Sequence, residues 1–248
     1  MPSTSETGHA KNVANFEDLI SFCNGYGASY NPSKEALKIA NLQTQFTSSQ
    51  NVLKEVKTTQ TAFNNATNSR MDIFKPLKSL ATKIINALDA TDASAETVKD
   101  ARTINMKIQG QRATPKAVTP QPPVAGETPP ADKTISSSQQ SYDQQIEHFA
   151  KLIELLASDN NYKPNEKELG LPALQTKLTE LKTTNTAVVS SYTNWSNSRI
   201  ARQTTLYNAL TGLVNTALDV KKYVKSVYGA TSPQYKQVSK LEFKNRKD

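Results

Sequence analysis

The sequence predicts an all-α protein, an elongated helical bundle built from two tandem homologous repeats with long central helices. Three observations carry that expectation. Apolar residues recur at three- and four-residue spacing over long stretches. No Val/Ile/Thr run alternates with period two between turn signals, so no strand is required. Two parts of the chain also match each other, in order, on either side of a proline-rich segment.

The match runs from end to end. Phe16, Leu19 and Ile20 align with Phe149, Leu152 and Ile153. Tyr30-Asn31-Pro32 aligns with Tyr162-Lys163-Pro164, and Leu42-Gln43-Thr44 with Leu174-Gln175-Thr176. Asn68-Ser69-Arg70 aligns with Asn197-Ser198-Arg199, and Val98-Lys99 with Tyr235-Lys236. Between the halves stand Pro115, Pro120, Pro122, Pro123, Pro129 and Pro130, which exclude helix and central strand and favour an extended spacer. The expected organisation is therefore repeat 1 at 1–113, a linker at 114–133 and repeat 2 at 134–248, with both repeats packed into one bundle.

Each repeat is expected to open with an amphipathic helix, at 10–23 and 141–157. Val13, Phe16, Leu19, Ile20 and Cys23 form its apolar stripe in one repeat, and Ile146, Phe149, Leu152, Ile153 and Leu156 in the other. Turn residues follow at 24–27 and 158–161. Pro32 and Pro164 are then placed in a first helical turn, where the missing N–H costs nothing. A long seam follows in each repeat, from Leu42 to Leu88 and from Leu174 to Val227, mostly apolar at heptad-like spacing. Unbroken, residues 42–88 would span about 70 Å. Asn/Ser-rich clusters at 64–69 and 194–198 weaken helix locally, yet the continuity of the seam favours one helix through them. Pro76 should kink the first long helix, with no counterpart expected near Thr205. Short helices are expected at 95–109 and 232–245.

Composition limits function. Hydrophobic residues make up only 36% of the chain, while Ser, Thr, Asn and Gln together number 84 of 248. No run of about 18 apolar residues spans a bilayer, and no basic-then-apolar leader opens the chain. The expected location is cytoplasmic, with signal-less export left open. One cysteine, Cys23, and two histidines, His9 and His148, supply neither a disulfide nor a Cys/His metal set. His9 is placed in a frayed tail, and His148 and Cys23 on the apolar face of the opening helices. No glycine-rich phosphate loop or metalloprotease motif occurs. No catalytic residue, cofactor or metal is expected.

Two polar features remain. Arg70, Arg199 and Arg202 fall on the apolar seam, where an arginine must snorkel, pair with a carboxylate or face a second chain. Of the net charge of +8, six units lie in residues 221–248. Lys221, Lys222 and Lys225 are expected on one outward helix face, joined by Lys236, Lys240, Lys244, Arg246 and Lys247 as a possible anion or nucleic-acid patch. The leading expectation is a non-catalytic structural or protein-interaction component whose partner is protein, its own copies or other chains. The alternative is a nucleic-acid-associated protein using these lysines. A third, weaker reading is a helical membrane-interacting or pore-forming protein, with no integral span.

Overall fold

The computed structural model of the chain describes residues 8–111 and 140–246. The expected spacer 114–133 and Lys247 lie outside them. The described residues form α-helices, short 3₁₀ turns and connecting loops, with no strand among them. In chain order the helices are α1 (His9–Gly25), α2 (Ile39–Phe74), α3 (Leu77–Asp89), α4 (Ala95–Gln109), α5 (Tyr142–Ser158), α6 (Leu171–Tyr207), α7 (Leu213–Tyr228) and α8 (Pro233–Ser239). They divide into two compact units. Unit 1 is Met1–Asn65 with Ser190–Asp248, and unit 2 is Ala66–Val189. The long helices α2 and α6 therefore each supply residues to both units.

Unit 1 packs α1 against α7 and α8. Phe16, Leu19 and Cys23 of α1 meet Leu42 of α2, Leu206 of α6, Ala217, Val220 and Val224 of α7, and Val238 of α8. Each large side chain removed from water here contributes about 1.5–3 kcal/mol. Ser232 caps α8, its hydroxyl accepting from Tyr235 N–H at 3.1 Å, and Pro233 takes the first helical turn. After Ser239 the chain stops being helical, so the last helix is shorter than the expected 232–245. Residues 241–246 run on as an irregular strap.

Unit 2 packs α4 against both α3 and α5. Leu77, Ala81, Ile84 and Leu88 of α3, Val98, Ala101 and Ile108 of α4, and Phe149, Leu152 and Leu156 of α5 share one core with Leu174 and Leu181 of α6. Ser94 and Ser141 cap α4 and α5, accepting from Thr97 N–H at 3.1 Å and Gln144 N–H at 3.2 Å. Gly110 ends α4 at φ 77°, the left-handed conformation glycine adopts without strain. Unlike α8, α4 keeps its full expected length.

The loops before the long helices correct one expectation. Pro32 and Pro164 precede the helices instead of opening them, and Pro172 is the proline in a first helical turn. Each loop holds a short 3₁₀ turn, Glu35–Leu37 or Lys167–Leu169, and folds around a tyrosine. Tyr30 donates its hydroxyl to Leu37 O at 2.7 Å, and Tyr162 donates to Leu169 O at 2.9 Å.

The Asn/Ser clusters do not interrupt α2 or α6. Packing along the seam outweighs their weak propensity, and nearby hydroxyls find partners on the helices themselves. Ser198 Oγ lies 2.8 Å from both Trp195 O and Thr59 Oγ1, and Thr59 reaches Glu55 O at 2.8 Å. The breaks come later, and both long seams have one. Pro76 separates α2 from α3, because proline has no N–H with which to continue the helical hydrogen-bond ladder. No proline separates α6 from α7. There Asn208 Oδ1 accepts from Leu210 N–H at 2.9 Å and Thr211 N–H at 3.0 Å. A Cβ on Gly212 would stand 2.5 Å from the Asn208 nitrogen, so only glycine permits this approach. The expectation that the second seam runs on without a counterpart to the first break is therefore corrected.

Candidate interaction surfaces

The basic residues of 221–246 all fall in unit 1, but they do not present one outward face. Lys221 turns inward. Its ammonium donates to Leu241 O and to Ser239 O, and lies 5.4 Å from the Phe243 ring. Burial lowers its pKa from the ordinary lysine value, with Glu242 working against that shift. Lys222 pairs with Asp219 at 3.0 Å, and Lys244 with Glu242 at 2.8 Å. Asp219 also holds Lys34 at 2.8 Å, and that hydrogen bond is the chief reason its carboxyl sits below the usual range. Lys225 approaches the Tyr235 ring at 5.7 Å. Lys236 and Lys240 are exposed.

The seam arginines also part company. Arg70 lies in unit 2. Its Nη1 donates to Asn185 Oδ1 at 2.9 Å, and its guanidinium sits 4.0 Å above the Tyr142 ring. Asn185 passes the bond on, its Nδ2 donating to Asp143 Oδ1 at 2.7 Å. One amide thus joins the arginine to a carboxylate. Arg199 and Arg202 lie in unit 1. Arg199 stands over the Trp195 ring at 5.3 Å, and Trp195 stacks on Phe63 at 5.4 Å. Arg202 is buried in α6.

The expected non-reactive residues are placed as follows. Cys23 is 1% exposed, and burial pushes its thiol up to about 12, where little thiolate exists to act as a nucleophile. His148 is 4% exposed on α5, and its Nε2 has no hydrogen-bond partner among the described residues. Burial lowers its pKa, as do Lys107 on α4 and Lys151 on its own helix, against Glu147. His9 corrects its expectation. It opens α1, and its Nδ1 lies 2.7 Å from the Tyr207 hydroxyl.

Two kinds of feature were not read from the sequence. Several large apolar side chains lie on the surface. In unit 1, Tyr192 is 52% exposed, Ile200 61% and Leu210 81%. Asn12, Asn15 and Gln203 form the second kind, as side-chain amides that hold the strap 241–246. The available signal was the three-residue spacing of Asn12 and Asn15, which puts both on the buried face of α1.

Among the described residues, no group of three or more His, Cys, Asp or Glu is placed to hold a metal ion, and no helix is long and apolar enough to cross a membrane. No protein-family model, curated protein or solved structure matches the chain.

Proposed function

We propose that this chain is a non-catalytic helical component that works by protein–protein interaction, including association with its own copies. The observation that carries the reading is the exposure of Tyr192, Ile200 and Leu210 on unit 1. Tyr192 lies beside the Phe63 and Trp195 rings at 5.6 and 6.2 Å, so its exposed ring belongs to an aromatic cluster of the kind that favours an interaction site. We further propose an internal duplication, with repeats at 1–113 and 134–248 and a linker at 114–133. The matched Tyr30–Leu37 and Tyr162–Leu169 hydrogen bonds support it. So do the ends of α2 and α6, at Phe74 and Tyr207, which keep the offset of the earlier matches. The offset of 132 set by Tyr30/Tyr162 and Leu42/Leu174 pairs Arg70 with Arg202 in place of Arg199.

Sedimentation velocity tests the function. The expected result is a species larger than 27.2 kDa that grows with concentration and shrinks for Ile200→Lys. A chain that stays monomeric throughout removes self-association. The same run gives the frictional ratio that tests the elongated arrangement. The nucleic-acid reading keeps Lys225, Lys236 and Lys240 as exposed cations. Under it the chain would retain material absorbing at 260 nm and lose it on raising salt. The pairing of Lys222 and Lys244 and the inward turn of Lys221 make it the second choice.

A further inference from the structure

The strap 241–246 is held as a bound peptide is held. Its main chain is gripped at every second residue. Asn15 Nδ2 donates to Glu242 O at 2.7 Å. Asn12 makes a matched pair with Lys244, Nδ2 donating to Lys244 O at 2.8 Å and Oδ1 accepting from Lys244 N–H at 3.1 Å. Gln203 Nε2 donates to Arg246 O at 3.1 Å. The steps 242, 244 and 246 follow the two-residue repeat of extended backbone. At the alternate positions, Leu241 and Phe243 pack against the core of unit 1, and Lys221 caps the entrance through Leu241 O. Asn12 thus offers the donor–acceptor pair that a neighbouring strand would offer, as in recognition by strand addition.

We infer that unit 1 carries a groove for an extended peptide with an aromatic residue, lined by Asn12, Asn15, Gln203 and Lys221. The chain's own strap fills the groove in cis, and the strap of a second copy is its ligand in trans. Bonds directed at main-chain groups carry no information about which chain supplies them. Every copy holds a peptide that fits. The strap leaves α8 after Ser239 through exposed Lys240, and Leu241 N–H still bonds Val238 O, so residues 242–246 can transfer without unwinding a helix. The proposal rests on the interaction reading above and names where a second chain docks.

The test uses an acetylated, amidated, fluorescein-labelled peptide of residues 239–246, titrated into the full chain by anisotropy. Phe243→Ala in the chain weakens the resident strap. The peptide should bind this variant at least tenfold tighter than the unsubstituted chain. Adding Asn12→Ala and Asn15→Ala should remove that gain, and a peptide carrying alanine for its phenylalanine should not bind. Failure to bind either chain, or binding indifferent to Asn12 and Asn15, overturns the proposal. Should Phe243→Ala lose its helical signal, hydrogen exchange at the Lys244 amide of the unsubstituted chain gives the answer. Unlabelled peptide in excess should speed that exchange, and an unchanged rate overturns the groove. Saturable peptide binding by a chain that remains monomeric upholds the groove but overturns its filling by a second copy, together with the self-association reading. Association unaffected by the Asn12 and Asn15 substitutions, with no peptide bound, overturns the groove and upholds self-association.

Discussion

Two helices, α1 in unit 1 and α5 in unit 2, solve one problem in different ways. Asn15 on α1 and His148 on α5 are buried polar groups, each one residue before a fully buried phenylalanine, Phe16 and Phe149. Asn15 donates to the strap, whose irregular backbone has carbonyls to spare. His148 lies where α4 packs on α5, and the carbonyls inside a helix are already committed to its own N–H groups. Its Nε2 accordingly has no partner among the described residues. A buried polar atom is thus easily satisfied by extended chain and poorly by a helix face, where N–H and C=O groups are already paired with each other.

The largest perturbation asks whether the units are energetically separate. Phe16→Ala and Phe149→Ala should each cost about 3–5 kcal/mol. Hydrogen exchange should show protection lost first in α1 for the former and in α5 for the latter. Equal loss in both units for either variant would mean that the shared long helices couple them into one cooperative block. The turns come next. Gly212→Ala forces a Cβ onto the Asn208 backbone and should cost about 1–3 kcal/mol in urea unfolding. Pro76→Ala meets no such clash and should stay within about 1 kcal/mol.

Replacing the two polar residues by leucine sharpens the contrast directly. Asn15→Leu strands the Glu242 carbonyl and should cost about 1–3 kcal/mol, whereas His148→Leu at pH 7.5 should change stability by less than about 1 kcal/mol. The smallest effect is the pH dependence of His148. Its pKa is lower folded than unfolded, so the unfolded chain binds the proton first as pH falls. Stability should be flat above the unfolded value of about 6.5, decline as pH drops below it, and level off beneath the folded pKa. His148→Leu should abolish that component of the slope between pH 7.5 and 5. An unchanged slope would assign it to other groups.

The apolar periodicity made helix type and most helix positions legible. The stripe Val13, Phe16, Leu19, Ile20 and Cys23 is buried as its spacing requires. Passage of α2 and α6 through their asparagine clusters was legible from the seam alone, since packing outweighs weak local propensity. What periodicity does not encode is close approach. The α6–α7 break depends on an asparagine side chain and the missing Cβ of Gly212, and neither alters the apolar pattern. The inward turn of Lys221 was hidden for a related reason. A lysine placed on the polar face by helical geometry can still fold its long stem back to carbonyls, here those of residues 239 and 241. The strap was hidden too, because its partners lie more than two hundred residues away along the chain in the case of Asn12 and Asn15.

Because α2 and α6 each serve both units, the chain is a matched pair of fragments joined by one covalent crossing. Cut between Gln111 and Gln140, it yields one piece with α2 and another with α6. The first holds Phe16 and Leu42 but lacks Leu206, Val220 and Val224, and the second has the reverse deficit. The core of unit 2 is divided in the same way, with Leu77 and Ile84 on one piece and Phe149 and Leu174 on the other. Neither piece contains a finished core, so each should be unfolded alone and structured on mixing. Its folding then becomes a second-order reaction, and the recovered helix signal becomes a concentration-dependent readout of the two pieces meeting.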